Sequence, residues 1–250
     1  MSSRVCLCAV LLALAGTSRG GATLPGRLEG FALVELFTSE DCSSCPPADE
    51  LLARLAADAG KSGHAVYCLS FHVDYWDGLG WKDPYSDPAF TRRQAQYETA
   101  FGVHGPYTPQ MVVNGTDQFV GSDGSRAEKS VADFLSRKAL VSVQLQASVE
   151  GRSVAVDWKV TDANPASELH VAWAQAEAVS NPDRGENASR KLHHVHVVRA
   201  LRSIQLWRVF EGHLTLTPPE LRSGSVIAFV QDVKTGRILG AAARHVTIER

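Results

Sequence analysis

The chain has 250 residues, 44% hydrophobic and 21% charged, an ordinary globular composition that argues against a disordered chain or a long coiled coil. Lysine and arginine number 25 against 27 aspartates and glutamates, for a formal net charge of -2 at pH 7. No overall basic field is present to hold phosphate backbones, so nucleic acid is not an expected partner.

Arg4 precedes an apolar run from Val5 to Ala15 and then small residues through Gly20, Gly21 and Ala22, the layout of a secretory signal over residues 1–22. The run is shorter than the roughly 20 apolar residues that cross a bilayer, which sets a cleaved signal above a membrane anchor. No later segment is apolar for long enough to span a membrane. The mature chain is therefore expected in the periplasm or outside the cell. Of the cysteines it keeps Cys42, Cys45 and Cys68.

Residues 31–37 are nearly all apolar and read as a buried strand, interrupted by Glu35. Cys42-Ser43-Ser44-Cys45 follows, and then Pro46-Pro47 opens a helix whose apolar positions Ala48, Leu51, Leu52, Leu55 and Ala56 share one face. Gly60 is its expected stop. Because Cys45 precedes a proline, the helix is expected to begin only at Pro46 or Pro47. A second strand surrounds Cys68, which reads as a packed core thiol. A long loop then carries His72, Asp74, Tyr75, Trp76 and Asp77. Asp87-Pro88 opens a second helix that runs to Gly102.

Thr108-Pro109 leads into a strand over 110–113, a turn at Asn114-Gly115 and a partner segment ending near Val120, a hairpin signature. Ser125 and Glu128 form a capping box before a third helix containing Val131, Phe134 and Leu135. After Lys138 the pattern changes to period-two alternation, with strand-like runs at 141–147, 154–160, 169–179, 193–201, 225–232 and 238–248. These elements predict an α/β thioredoxin-like domain over 31–138 followed by an all-β, sandwich-like domain over 139–250.

C-x-x-C where a buried strand turns into a helix reads as a redox pair. A disulfide closing four residues stabilises by only about 2 kcal/mol in the chain-entropy account, against about 4.7 for a hundred-residue loop, so chemistry is favoured over stapling. A helix N-terminus lowers a thiol pKa and favours the thiolate, whereas Glu40 and Asp41 beside it oppose ionisation. Cys42, on the expected exposed lip, is the candidate nucleophile and Cys45 the resolving thiol. Glu35 is the candidate proton acceptor beneath them, or else an edge-strand glutamate paired with a basic residue. Pro109, a candidate cis residue, would shape the groove and leave the Thr108 backbone to pair with an extended peptide.

His72, Asp74 and Trp76 stand where a strand's carboxyl end places a binding site, although a buried structural histidine is the plainer reading of His72. A copper(I) site made of Cys42, Cys45 and His72 is the alternative from another class, and a non-catalytic binding module with a structural disulfide is a third. His193, His194 and His196 invite a metal reading that strand alternation weakens, because it places His193 on the other face. Arg184-Gly185-Glu186-Asn187 is a charged turn, read as a loop held by an ion pair or as a docking surface. Asn114 and Asn187 each open a glycosylation sequon.

The Val34-Glu35-Leu36-Phe37-Thr38-Ser39 approach to Cys42-Ser43-Ser44-Cys45-Pro46-Pro47, the Ser70-Phe71-His72-Val73-Asp74-Tyr75-Trp76 segment and the Tyr107-Thr108-Pro109-Gln110 segment together resemble the domain-of-unknown-function family 1223 of exported bacterial proteins. The resemblance extends to the Arg184-Gly185-Glu186-Asn187 turn. It implies a thioredoxin-like fold with an appended β domain and no established activity. A shorter likeness to exported thiol oxidases of the thioredoxin superfamily is limited by Ser-Ser between the cysteines. The combined expectation is an exported thiol-disulfide oxidoreductase or thiol-handling protein, without a cofactor, that meets a protein or small-thiol substrate and a redox partner.

Overall fold

A computed structural model describes residues 29–248, so the expected signal segment lies outside the described residues. The first half runs β1 (Ala32–Thr38), α1 (Pro46–Ser62), β2 (Val66–His72), α2 (Pro88–Phe101), β3 (Gln110–Val113), β4 (Asp117–Val120) and α3 (Gly124–Leu135). Seven strands follow: β5 (Ser142–Glu150), β6 (Ser153–Thr161), β7 (Ser167–Ser180), β8 (Leu192–Gln205), β9 (Glu211–Leu216), β10 (Gly224–Asp232) and β11 (Ile238–Val246). Among the described residues no helix is long and apolar enough to cross a membrane.

Local chemistry sets most boundaries. Asp87 accepts a hydrogen bond from the Ala89 N–H at 2.7 Å, Pro88 fills the first turn of α2, and Gly102 ends it in the left-handed region at φ 64°. Helix α1 passes through Gly60 and stops at Gly63, φ 71°, where the left-handed conformation is adopted. Helix α3 is capped by Asp123, which accepts from the Arg126 N–H at 3.1 Å, and not by the Ser125–Glu128 box. Strand β9 escaped sequence reading because Leu214 and Leu216 are its only apolar residues.

The strands form an eight-stranded mixed sheet, ordered β11-β10-β7-β8-β2-β1-β3-β4, and a three-stranded sheet, β5-β6-β9. Strand β8 joins β2 in parallel through the Ser70–Val197 pair, so the sheet of the first half continues into the second. This departs from the expected division at residue 139: four strands of the second half extend the first sheet and three form a layer over it. The reason is edge pairing, since β2 would otherwise offer unpaired backbone on the side away from β1. The two sheets face each other only locally. Leu145, Val156 and Trp158 of the small sheet pack against Val171, Trp173, Ala228 and Val230 of the large one.

Alternation on β1 divides the first half. Ala32, Val34 and Leu36 meet Leu51 and Leu52 of α1 and Val131 and Phe134 of α3. Leu33 and Phe37 point the other way, to Phe71, Phe90, Tyr97 and Phe229. Free Cys68 lies fully in the first cluster, and burial pushes its thiol up to about 12, as fits a packing residue. Glu35 belongs to the second face. Its carboxylate accepts from Arg93 Nε at 2.5 Å and Nη2 at 2.9 Å and from the Tyr97 hydroxyl at 2.6 Å. Gln231 of β10 accepts from Arg93 at 3.3 Å, so this buried network ties α2 and β1 to the second half.

Removing one member of such a pair leaves a buried charge without its partner. Arg93→Met is expected to lower unfolding free energy by about 3–5 kcal/mol, read by urea denaturation. A loss below about 1 kcal/mol would mean that the pair does not hold the halves together.

Candidate functional site

Between β1 and α1 the cysteines close a disulfide, Cys42–Cys45, with Cα atoms 5.4 Å apart. Cys45 caps α1 at φ -79°, ψ -36°, a helical conformation despite the following proline, and its carbonyl accepts from the N–H groups of Ala48 and Asp49 at 2.8 and 3.1 Å. The helix itself begins at Pro46. Pro109 is cis and lies beside the same helix: its Cβ and that of Ala48 stand 3.0 and 3.1 Å from the point where a side chain on Gly121 would begin.

Cys42 and Cys45 are both 0% exposed, which corrects the expectation that Cys42 sits on an open lip. The cover comes from the connection between β7 and β8. Asn187 donates its side-chain amide to the carbonyls of Glu40 and Cys42, at 2.8 and 2.9 Å. The Glu186 N–H donates to the Asp41 carboxylate at 2.7 Å, and the Ser43 N–H donates to the Glu186 carboxylate at 2.9 Å. These bonds from Ser43 hold the exposed Glu186 carboxyl below its ordinary range. Gly185, at φ 80°, abuts the Asp41 carboxylate and the Trp81 side chain so closely that a Cβ has no room. Trp81 completes the clamp, its backbone N–H donating to Asp41 at 3.2 Å and its indole N–H to Glu40 at 2.7 Å. The charged turn at 184–187 is thus a lid on the disulfide, fastened by main-chain and amide hydrogen bonds.

Beneath the turn lies a buried polar cluster. Thr38 and His72 are register partners on β1 and β2. The Thr38 hydroxyl donates to Asp49 at 3.3 Å, and His72 Nδ1 lies 2.7 Å from Asp83. Burial pushes the Asp83 carboxyl up, but His72 and the N–H groups of Glu40 and Tyr85 outweigh it and hold the group below its usual range. His194 of β8 stands edge-on to His72, with ring centroids 4.7 Å apart. Its Nε2 is 3.4 Å from Glu40 and its Nδ1 3.7 Å from Asp49, distances of an ion pair more than of aligned hydrogen bonds. Burial alone would lower this imidazole, yet the two carboxylates lift it to about 10. A cleft of about 370 Å³ between α1 and β8 reaches His194 from outside, lined also by Pro46, Asp49, Arg54, Lys191 and His193. A larger cleft, about 820 Å³, is lined by β5, β6, β9 and β11 and by no residue of the disulfide turn.

The remaining sequence candidates separate. Glu35 does not lie beneath the thiols, because alternation on β1 turns it to the face away from α1, and it is an inner-strand residue paired with Arg93. His72 is fully buried and committed to Asp83, so it meets no substrate from solvent and offers no surface ligand for copper. Asp74 binds the Thr91 hydroxyl and anchors α2. Trp76 does reach Thr108, donating its indole N–H to the hydroxyl at 2.9 Å, and both are half-buried next to Pro109. The three histidines part as alternation requires for His193, which is exposed, while a left-handed turn at His196, φ 49°, breaks the regular pattern. Among the described residues no three histidine, cysteine, aspartate or glutamate side chains gather as for a metal ion. Both sequon asparagines are buried, Asn114 holding the backbone of Phe31 and Leu33 and Asn187 the disulfide turn.

The model of the family described as protein of unknown function (DUF1223) matches residues 33–231, a span that contains the disulfide turn, its lid and His194. The chain belongs to this family. The X-ray crystal structure of protein AGR_C_4864 from Agrobacterium tumefaciens is similar, with 28% identity and a TM-score of 0.63, over 89% of this chain and 99% of that one. HBP35 of Porphyromonas gingivalis, at 15% identity and a TM-score of 0.59 over 88% of this chain and 76% of that one, shares the fold. Among curated proteins none matches significantly.

In this DUF1223 protein the raised His194 pKa ties stability to alkaline pH. The group binds a proton more tightly folded than unfolded, so its contribution is complete below about pH 6.5 and lost as pH rises toward about 10. Urea midpoints are expected to fall steadily from pH 7 to 10, and a flat profile would contradict the charged assignment.

Proposed function

We propose that this DUF1223 protein is an exported, thioredoxin-like thiol-disulfide oxidoreductase acting on protein or small thiols through a guarded Cys42–Cys45 pair. The observation that carries this reading is the C-x-x-C disulfide capping α1, with Pro109 packed beside the helix's first turn. A ring of four residues contributes little as a staple, whereas a helix N-terminus favours thiolate at a sulfur beside it. The pair also follows the carboxyl end of β1, where α/β sheets place their sites. A disulfide of this kind suits an oxidising compartment, in keeping with the signal-like segment in the sequence.

With the lid closed no thiol reaches either sulfur. Exchange requires the 184–187 turn to lift, after which a substrate dithiol attacks as thiolate, forms a mixed disulfide with one cysteine and releases the other. Its second thiol then displaces the remaining sulfur, so the substrate leaves oxidised and Cys42 and Cys45 are left as thiols. In the reverse direction Cys42 attacks and Cys45 resolves. A second reading, a non-catalytic module with a permanently closed disulfide, draws on the burial of both cysteines and on the carboxylates of Glu40 and Asp41 beside them.

Thiol trapping and mass spectrometry across a glutathione series separates the two. The oxidoreductase reading expects a reversible two-electron couple within the series. Asn187→Ala, which removes two hydrogen bonds from the lid, should speed reduction by dithiothreitol by about thirtyfold, at about 1 kcal/mol per bond. A disulfide that stays oxidised at every glutathione ratio, in both the native chain and the variant, would establish the closed-module reading instead.

A further inference from the structure

Three connections meet at one end of the strand layers. Leu206, which follows β8, donates its N–H to the Ser167 carbonyl at 3.0 Å, and Val233, which follows β10, donates to the Ala166 carbonyl at 3.1 Å. Because β8 and β10 flank β7 there, the two connections stand about 10 Å apart, twice the spacing of strands in a sheet. The Phe210 carbonyl accepts from the Val160 N–H at 2.7 Å, which brings the end of β6 to the same place. Large apolar side chains face solvent from this end: Trp207 is 69% exposed, Val209 51% and Val233 57%. Single exposed apolar residues are ordinary, but several on neighbouring turns mark a contact surface. The crest is also held in place. Leu206 is fully buried and Phe210 packs against the core between the two sheets, so Trp207-Arg208-Val209 is anchored at both ends and projects from between them.

Charge tells what covers the crest. The connections over 162–166, 206–210 and 233–237 hold Arg208, Lys234 and Arg237 against Asp162 alone, in a chain whose formal net charge is -2. Two acids at the neighbouring strand ends are engaged: Asp232 accepts from the Thr235 N–H and hydroxyl, each at 2.8 Å, and Glu211 from Lys159 at 2.7 Å. The Arg208 guanidinium stays beside the indole, 6.0 Å from the Trp207 ring centroid. A second copy seated symmetrically on this end would set its cations against their own kind. An indole and aliphatic groups interleaved with cations instead match an anionic bilayer, whose headgroup boundary takes the apolar groups while its phosphates meet the cations. We propose that the crest of Trp207, Arg208 and Val209, with Val233 and Lys234 beside it, docks this protein on an anionic lipid surface. The inference does not depend on any chemistry of the disulfide. From His194 to Leu206 strand β8 runs twelve residues, about 40 Å of extended chain, and the lid connection precedes its other end, so docking leaves the lid clear of the lipid.

Lipids brominated on their acyl chains quench only a tryptophan that enters the bilayer, so they report on the crest whatever else the chain touches. The full chain is expected to lose emission on vesicles of equal parts phosphatidylglycerol and brominated phosphatidylcholine, and Trp207→Ser to lose none. Replacing both cations, Arg208→Gln with Lys234→Gln, should weaken binding to these vesicles by about thirtyfold. Quenching that persists in Trp207→Ser puts the bilayer contact elsewhere and overturns the proposal. Equal quenching on brominated phosphatidylcholine alone, or none on either vesicle, overturns it as well. A Trp207-dependent dimer in gel filtration, without quenching, assigns the crest to a second copy instead. Should Trp207→Ser fail to fold, the native chain still decides: its quenching on the anionic vesicles must fall as salt rises, and quenching indifferent to salt overturns the proposal.

Discussion

Two hydrogen bonds from one side chain hold this site together. The Asn187 amide donates to the carbonyls of Glu40 and Cys42, and through them the second half of the chain fastens the turn that the first half supplies. A buried amide satisfied in this way fixes the turn's path, because releasing it would strand polar atoms away from water. The shared sheet makes the reach possible. Strand β8 joins the sheet beside β2, and the connection that precedes it bonds the turn that follows β1. Disulfide, lid and buried histidine are therefore one construction to which neither half contributes alone.

Charge is the second constraint. Glu40, Asp41, Asp49 and Asp83 are all buried within a few residues or contacts of the disulfide. Asp41 is neutralised in part by two backbone N–H groups, Asp83 by His72 and two more, and Glu40 and Asp49 share the imidazolium of His194. The helix N-terminus draws electrons from Cys45 while these carboxylates push back, and the balance between them sets how readily either sulfur ionises. A disulfide adds no charge to this cluster, whereas a thiolate in the same place would add one.

Much of the fold was legible because it is written locally. Asp87-Pro88 and Gly102 bracket α2, Asn114-Gly115 turns a hairpin, and period-two apolar residues mark β5, β6, β7 and β10. The site was legible only in part. Cys42 and Cys45 pair at the start of α1, Pro109 lies beside that helix and Thr108 bonds Trp76, because each is tied to a strand end or helix start that sequence can locate. Glu35 was misplaced by a matter of parity: the turn after β1 sends α1 to the face of the even-numbered residues, and nothing in the sequence says which face the helix will choose. His194 and Asn187 come from far along the chain, and their place depends on β8 joining β2, a pairing with no local signature. A clue existed in the run of histidines at 193–196, where one member had to face inward.

The distance along the chain between sulfur and cover has a consequence for biogenesis. Cys42 precedes Asn187 by 145 residues, so a polypeptide made or exported from its amino end presents both cysteines long before their seal exists. An oxidant present at that stage would find them open, and the bonds from Asn187 would close over a disulfide already made.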